Sequence, residues 1–370
     1  MKVGALFSST AAVIAIATAS NSTTNLPYWY EKHNTPTALD RNRRRWAHII
    51  HDGVGGTRTW PENSDGVSNI QFCFANDESR WELHKMLNQA WDLWTLALGG
   101  SFGKESGHRL NFEEYHQVRT EGPNPGTYAF TCFKHNTSKC PTDDDGCFEH
   151  KDKLSLDWNS EVPQDILLVR LPNNYPGNLW STYGYSTELA GNVLEFERTT
   201  AVHVVARHVI SLVSLVDEHK RLDRDKFVHF NCKALKGYPE VQSVVDKSKD
   251  GPTIEELCSN QTLPRQYQEQ VSWKDNPFAS FNTDEYCKFA QDSRIFTGNY
   301  DVKSIMHVDS ASNSIDACAS TKKREDCTLM RYSGPNQTGE GTSLEFIEAN
   351  TMPSDNDIQN LKSLYPWKKS

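Results

Sequence analysis

Nine cysteines, Cys73, Cys132, Cys140, Cys147, Cys232, Cys258, Cys287, Cys318 and Cys327, constrain this chain more than any other feature. What they mean depends on the compartment, and the first residues speak to that. Met1 and Lys2 lead into an apolar stretch ending in Val13, Ile14, Ala15, Ile16, Ala17, Thr18 and Ala19, with small residues at 17 and 19 and no acid. Residues 1–19 read as a secretory signal peptide cut near Ala19. The stretch is too short for a membrane anchor, and no later segment supplies a span free of charges, so a secreted, extracellular protein is expected. In an oxidising compartment thiols pair, so four bridges and one leftover thiol are expected. Close spacing makes Cys140 with Cys147 and Cys318 with Cys327 candidate loop staples. Sequons at Asn21, Asn136, Asn260 and Asn336 fit the same compartment as glycosylation sites.

Of the 370 residues, 37% are hydrophobic and 24% charged, enough to bury a core in one large or two ordinary domains. The 39 Lys and Arg stand against 48 Asp and Glu, and a net charge of −9 opposes a surface that tracks phosphates. Nucleic acid is excluded as an expected partner. Residues 20–45 are polar and close in Arg43, Arg44 and Arg45, which a processing protease could cut. They read as a short prosegment before a main domain over 46–370.

The patterning of that domain mixes periods of 2 and 3.6. Ile70, Phe72 and Phe74 alternate as a half-buried strand. A helix then starts at Asn76 or Asp77, carries Leu83, Met86, Leu87, Ala90, Trp94 and Ala97 on one face, and stops at Gly99 and Gly100. Residues 101–162, rich in Gly, Asn, Asp and Pro, read as a loop-rich insertion in which Asp143, Asp144 and Asp145 form a solvated turn. The apolar run Asp165 to Leu171, bounded by Pro163 and Pro172, reads as a strand near a sheet edge, where an extended peptide could pair. Val193 to Phe196 reads as another strand. A long helix is expected from Thr199 to Val216, apolar at Val202, Val205, Ala206, Val209, Leu212, Val213 and Val216. His203, Arg207, Ser211 and Ser214 form a narrow polar stripe on it, which periodicity alone assigns to solvent.

After that helix come Asp217, Glu218, His219, Lys220, Arg221, Leu222, Asp223, Arg224 and Asp225, and much later Ser304, Ile305, Met306 and His307. Together these blocks resemble the astacin family of metzincin zinc proteases, whose zinc helix reads HExxHxxGxxHExxRxDRDxY and whose Met-turn reads SxMHY. The stretches Trp60 to Phe74, Ser181 to Tyr185, Pro353 to Ile358 and Leu364 to Trp367 resemble it too, so the likeness spans most of 46–367. The resemblance implies an α+β, two-lobed metzincin fold with a twisted mixed sheet, a zinc-helix equivalent and a Met-turn.

Aligned without gaps, the catalytic half of the motif is replaced. Arg207, Ser211 and Asp217 stand at the three histidine ligands, His208 at the base glutamate, Ser214 at the turn glycine and Val308 at the Met-turn tyrosine. One helix presents two ligands to a tetrahedral zinc only from an i, i+4 pair. Arg207 follows His203 by four and Leu212 follows His208 by four, so neither histidine has such a partner. The structural half remains: Glu218, Arg221, Asp223, Arg224 and Asp225 for a charge network, with Ser304 and Met306 as a turn and hydrophobic floor. The resemblance therefore implies a secreted, catalytically inactive pseudoprotease that needs no cofactor and holds an extended peptide or protein in its cleft. The alternative is an active zinc metalloendopeptidase with displaced ligands drawn from His203, His208, Asp217, His219, His229 or His307.

Overall fold

The computed structural model describes residues 59–119, 126–135, 156–172, 179–248, 251–260, 263–264, 278, 280–288, 299–333 and 343–368. The expected leader and prosegment, Asn21, Asn136, Asn336, Cys140, Cys147 and the acidic run 143–145 lie outside these residues.

Ser68–Phe74 forms strand β1 and Asp77–Leu98 forms helix α1. Asn76 caps α1 by accepting the Ser79 amide on its side chain, and Gly99 ends it at φ 87°, where a residue without Cβ is favoured. The face of α1 that carries Leu83, Leu87, Ala90, Trp94 and Leu98 is buried. Trp94 reaches across to the next long helix and donates its Nε1–H to the Ala206 carbonyl at 2.9 Å.

The described parts of 101–162 hold more regular structure than their composition suggests. They supply β2 (Leu110–Glu114), which lies parallel to β1, and two antiparallel pairs, β3 (His116–Arg119) with β4 (Gly126–Ala129) and β5 (Phe133–His135) with β6 (Leu156–Trp158). A Cys73–Cys132 bridge ties them to β1.

The run after Pro163 becomes β7 (Leu167–Arg170), and here the edge-strand expectation fails. With β8 (Trp180–Ser181) and β9 (Asn192–Glu195), the main sheet has the order β2-β1-β7-β9-β8, so β7 is its middle strand. Pro163 and Pro172 fall outside the ladder and remove none of its donors. Both faces of β7 are covered: Leu167 and Val169 enter the main core, while Leu168 packs with Cys73 and Val193 on the other side. A strand buried on both faces belongs at the centre of a parallel sheet. The sheet is mixed, because β8 alone runs antiparallel to its neighbour.

Helix α2 spans Val202–Ser211, shorter than the expected 199–216. Ser214 takes φ 75° and turns the chain away. The polar stripe does not face solvent either: Arg207, Ser211 and Ser214 are buried, and only His203 remains half-exposed. Arg207 is drawn inward by carboxylates on later segments, described below, while the Ser211 hydroxyl donates to the Arg207 carbonyl within the helix at 3.3 Å.

Beyond α2 come β10 (Val228–Phe230), α3 (Tyr238–Val245), α4 (Ile254–Ser259), α5 (Ala317–Thr321), β11 (Leu329–Ser333), β12 (Ser343–Phe346) and α6 (Asp355–Leu364). β10, β11 and β12 form an antiparallel sheet. Val228, Leu235, Val241, Leu257 and Leu329 build a second apolar core there, separate from the one beneath the main sheet. Cys232–Cys258 and Cys318–Cys327 staple this half, while Cys287 is a free, buried thiol. Asn260 is exposed at the end of α4. The whole is α+β, and among the described residues no helix is long and apolar enough to cross a membrane.

Candidate functional site

The reversal at Ser214 brings Asp217 back against the helix it follows. Arg207 Nε lies 3.1 Å from Asp217 Oδ1, and Arg207 Nη2 contacts Glu285 Oε1. Lys220 Nζ sits 3.4 Å from Asp217 Oδ2 and 3.6 Å from Glu285 Oε2, bridging the same two carboxylates. Tyr183 donates its hydroxyl to Asp217 Oδ2 at 2.6 Å. Arg207, Asp217 and Lys220 are all buried. Two cations and two anions thus share one largely buried site with a formal charge of zero. At such separations each contact is worth on the order of 4 kcal/mol before the loss of hydration is set against it.

Electrostatics fix the charge states. Burial alone would favour neutral forms, but the Glu285 and Asp217 charges outweigh it and hold the Arg207 pKa above its ordinary value. Burial likewise works against the Asp217 carboxylate, yet Arg207 and Lys220 bring it down to about 2. Glu285 is depressed for the same reason, and Lys220 is raised. All four remain ionised through the neutral range.

The histidines around this cluster are neutral. His219 is fully buried, and its Nε2–H donates to the Glu285 carbonyl at 2.8 Å, which leaves Nδ1 as an acceptor without a donor. His307 donates Nδ1–H to the Val308 carbonyl at 2.7 Å and accepts from Tyr300 on Nε2 at 2.8 Å. Burial pushes its pKa down to about 3. His208 faces Ser181 instead, with Nδ1 2.9 Å from the hydroxyl, and burial followed by Arg207 takes it down to about 4. His229 is elsewhere, beside Arg324.

Of the six residues offered as displaced ligands, only Asp217 and His219 are placed in one candidate ligand set among the described residues. Glu285 completes it, with ligand atoms all within 4.8 Å of one another. The ring of His307 stands 5.7 Å from that of His219, while His203, His208 and His229 are not in the set. The donor set does not suit a metal ion as it stands. Both carboxylates are already in contact with Arg207 and Lys220, and a divalent ion would add two positive charges to a buried site that is balanced without it. Arg207 Nε and Asp217 Oδ1 are close enough to pair but not aligned for a hydrogen bond.

Glu285 gave no signal in the sequence, being one acid among 48 and in no recognisable motif. Tyr183 lay within the Ser181 to Tyr185 stretch, so its neighbourhood could have been singled out.

The remaining motif residues surround the cluster. Arg221 pairs with Glu218 at 3.3 Å and with Asp223 at 2.9 Å. Arg224 donates Nη1–H to the carbonyls of His219 and Tyr286 and lies 3.4 Å from Asp225. The Glu218 amide donates to the Met306 carbonyl at 3.1 Å, and burial raises the Glu218 carboxyl to about 7. The turn at Ser304 to His307 is pinned from below by α6. Asp357 accepts from Ser304 Oγ at 2.5 Å and from the Ile305 amide at 2.9 Å, and the Met306 amide donates to Ser304 Oγ at 2.9 Å. Met306 and Val308 are buried in the first and second apolar cores respectively.

No protein-family model matches the sequence, and no curated protein matches it significantly. Solved structures similar to it include the following two. One is high choriolytic enzyme 1, a hatching enzyme zinc-protease from the medaka fish Oryzias latipes, at 14% identity and a TM-score of 0.38, over 83% of this chain and 94% of that one. The other is myroilysin, at 12% identity and a TM-score of 0.34, over 84% of this chain and 97% of that one.

Proposed function

We propose that this chain is a secreted pseudoprotease of two-lobed, metzincin-like architecture, a binding module that cuts no peptide bond and carries no zinc. The observation behind this reading is the position of Arg207. Its guanidinium occupies the carboxylates that an ion would need, and the residue at the base position, His208, is a half-buried neutral imidazole turned to Ser181. In this proposal the Arg207 cation takes over the cross-linking that a metal would perform between α2, Asp217 and the segment around Glu285.

The partner in this reading is an extended peptide or protein segment. β7 is unavailable for it, since both its edges are paired. The edge nearest the cluster is β8, which ends the sheet and carries Ser181, the partner of His208. Strand addition to β8 would lay a peptide beside α2. Residues 1–19 as a removed leader, 20–45 as a removed prosegment, and glycans at the four sequons complete the proposal.

Purified chain tested for bound metal by mass spectrometry and for cleavage of unfolded casein, with and without 1,10-phenanthroline, decides it. The expected result is no zinc and no cleavage, with both gained in a variant carrying Arg207→His, His208→Glu, Ser211→His, Ser214→Gly, Asp217→His and Val308→Tyr. One tightly held zinc per parent chain, with phenanthroline-sensitive cleavage lost on changing His219→Ala, would instead establish the second reading. That reading is a zinc endopeptidase using Asp217, His219 and Glu285, and it is favoured by their proximity and by the vacant lone pair of His219 Nδ1.

A further inference from the structure

A cavity of about 820 Å3 opens beside the second apolar core. Tyr286 separates it from the Arg207 cluster: its ring is 6.0 Å from that of His219 and stacks on Phe230 at 5.2 Å on the cavity side. The size falls in the range of small-molecule sites, roughly 300–1,000 Å3.

Its lining combines rings with an excess of positive charge. Phe230, Tyr238 and Tyr332 supply the rings. Four cations, Arg224, Lys233, Lys288 and Arg324, stand against three carboxylates, in a chain whose overall charge is −9. Asp225 is already engaged by Lys288 and Arg224, and the Arg224 guanidinium lies over the Phe230 ring at 5.0 Å. Lys233 and Arg324 make no ion pair with a carboxylate among the described residues. Arg324 instead directs its Nε–H at His229 Nε2, at 3.3 Å. A guanidinium donating to a neutral imidazole keeps its full charge and its four Nη–H donors for another acceptor. Because His229 Nε2 accepts, its Nδ1 carries the proton and is one more donor in the lining.

We propose that this cavity binds a small aromatic oxyanion, a ring bearing one carboxylate, sulfate or phosphate group, with the anion held by Arg324 and Lys233 and the ring by Phe230, Tyr238 and Tyr332. The site is independent of the Arg207 cluster, so it stands whether or not the chain is a protease.

Calorimetric titration of the full chain with naphthalene-2-sulfonate, 2-naphthoate and 2-naphthyl phosphate tests it. Saturable binding below about 1 mM is expected for at least one of them, weakened about tenfold or more by Arg324→Glu and by Lys233→Glu. Lys323→Glu makes the same charge change one residue away, outside the lining, and should alter affinity by less than about twofold. The proposal fails if none of the three anions saturates by 1 mM, or if Lys323→Glu weakens binding as much as Arg324→Glu. Sodium sulfate binding as tightly as the naphthalene sulfonate would also overturn it, because the rings would then contribute nothing.

Discussion

Arg207 Nε and Asp217 Oδ1 meet at 3.1 Å across the turn that ends helix α2, and both are buried. Neither the helix nor the segment after it contains this contact alone; it exists only because Ser214 adopts a left-handed conformation and folds one back on the other. The same two side chains reach Glu285 and Lys220, so the contact is the centre of a network rather than an isolated pair.

Removing one member of a buried ion pair strands the rest. Arg207→Met should destabilise the fold by roughly 3–5 kcal/mol, because Asp217 and Glu285 then share Lys220 alone. Urea titration of Arg207→Met, Asp217→Asn and the double variant should give a coupling energy of at least about 1 kcal/mol. Additive losses would show that the two side chains do not act together.

Acid should weaken the protein through its neutral histidines. His208 and His307 are held down to about 4 and about 3 in the folded state, and His219 is lowered by burial, against about 6.5 when unfolded. The unfolded chain therefore takes up protons first. The histidine contribution should be full above pH 6.5 and fall between pH 6.5 and 4, by up to about 1.4 kcal/mol per pH unit for each histidine. The urea midpoint measured across this window should flatten in His208→Gln. An unchanged slope would mean that the fold does not hold His208 neutral as described.

Glu218 works with the opposite sign. Burial raises its carboxyl to about 7 from an ordinary 4.5, so its contribution is favourable at low pH and is lost as pH rises through 7. Glu218→Gln should be close to neutral at pH 5 and stabilising by about 1–2 kcal/mol at pH 8.5, after allowance for the lost Arg221 contact. If a processed amino terminus after Arg45 pairs with Glu218, chain beginning at Trp46 should show a loss instead, which comparison of the two forms would reveal.

Ser214 at φ 75° occupies a conformation that glycine adopts freely and branched residues resist. Ser214→Gly should leave the melting temperature nearly unchanged, while Ser214→Val should cost about 2 kcal/mol or more. Equal effects of the two would argue against a left-handed residue here.

Leu168→Pro, which would disrupt an edge strand only locally, should instead prevent folding, because β7 is paired on both sides. Soluble, native-like protein by circular dichroism would contradict the sheet order.

The helix α1 could be read from the sequence from cap to cap, because its signals are local: Asn76, the spacing of Leu83 to Leu98, and Gly99. The Cys318–Cys327 staple was similarly visible in its short spacing. What failed depended on contacts distant in the chain. Flanking prolines suggested an edge for β7, yet its place in the sheet was decided by the two strands that cover it. The Arg207, Ser211 and Ser214 stripe looked solvated by periodicity, because the carboxylates that receive Arg207 lie on later segments, with Glu285 the least foreseeable. Composition concealed β2 within 101–162, since five residues of strand scarcely alter an average over sixty.

The guanidinium of Arg207 has one property that a bound ion lacks. An ion held by side chains stabilises a fold only in proportion to its supply, as RT ln(1 + [L]/Kd), and the benefit vanishes on dilution. Arg207 is joined to the chain it cross-links, so Asp217 and Glu285 meet their counter-charge at any concentration of protein or metal. The fold around them is thereby removed from mass action.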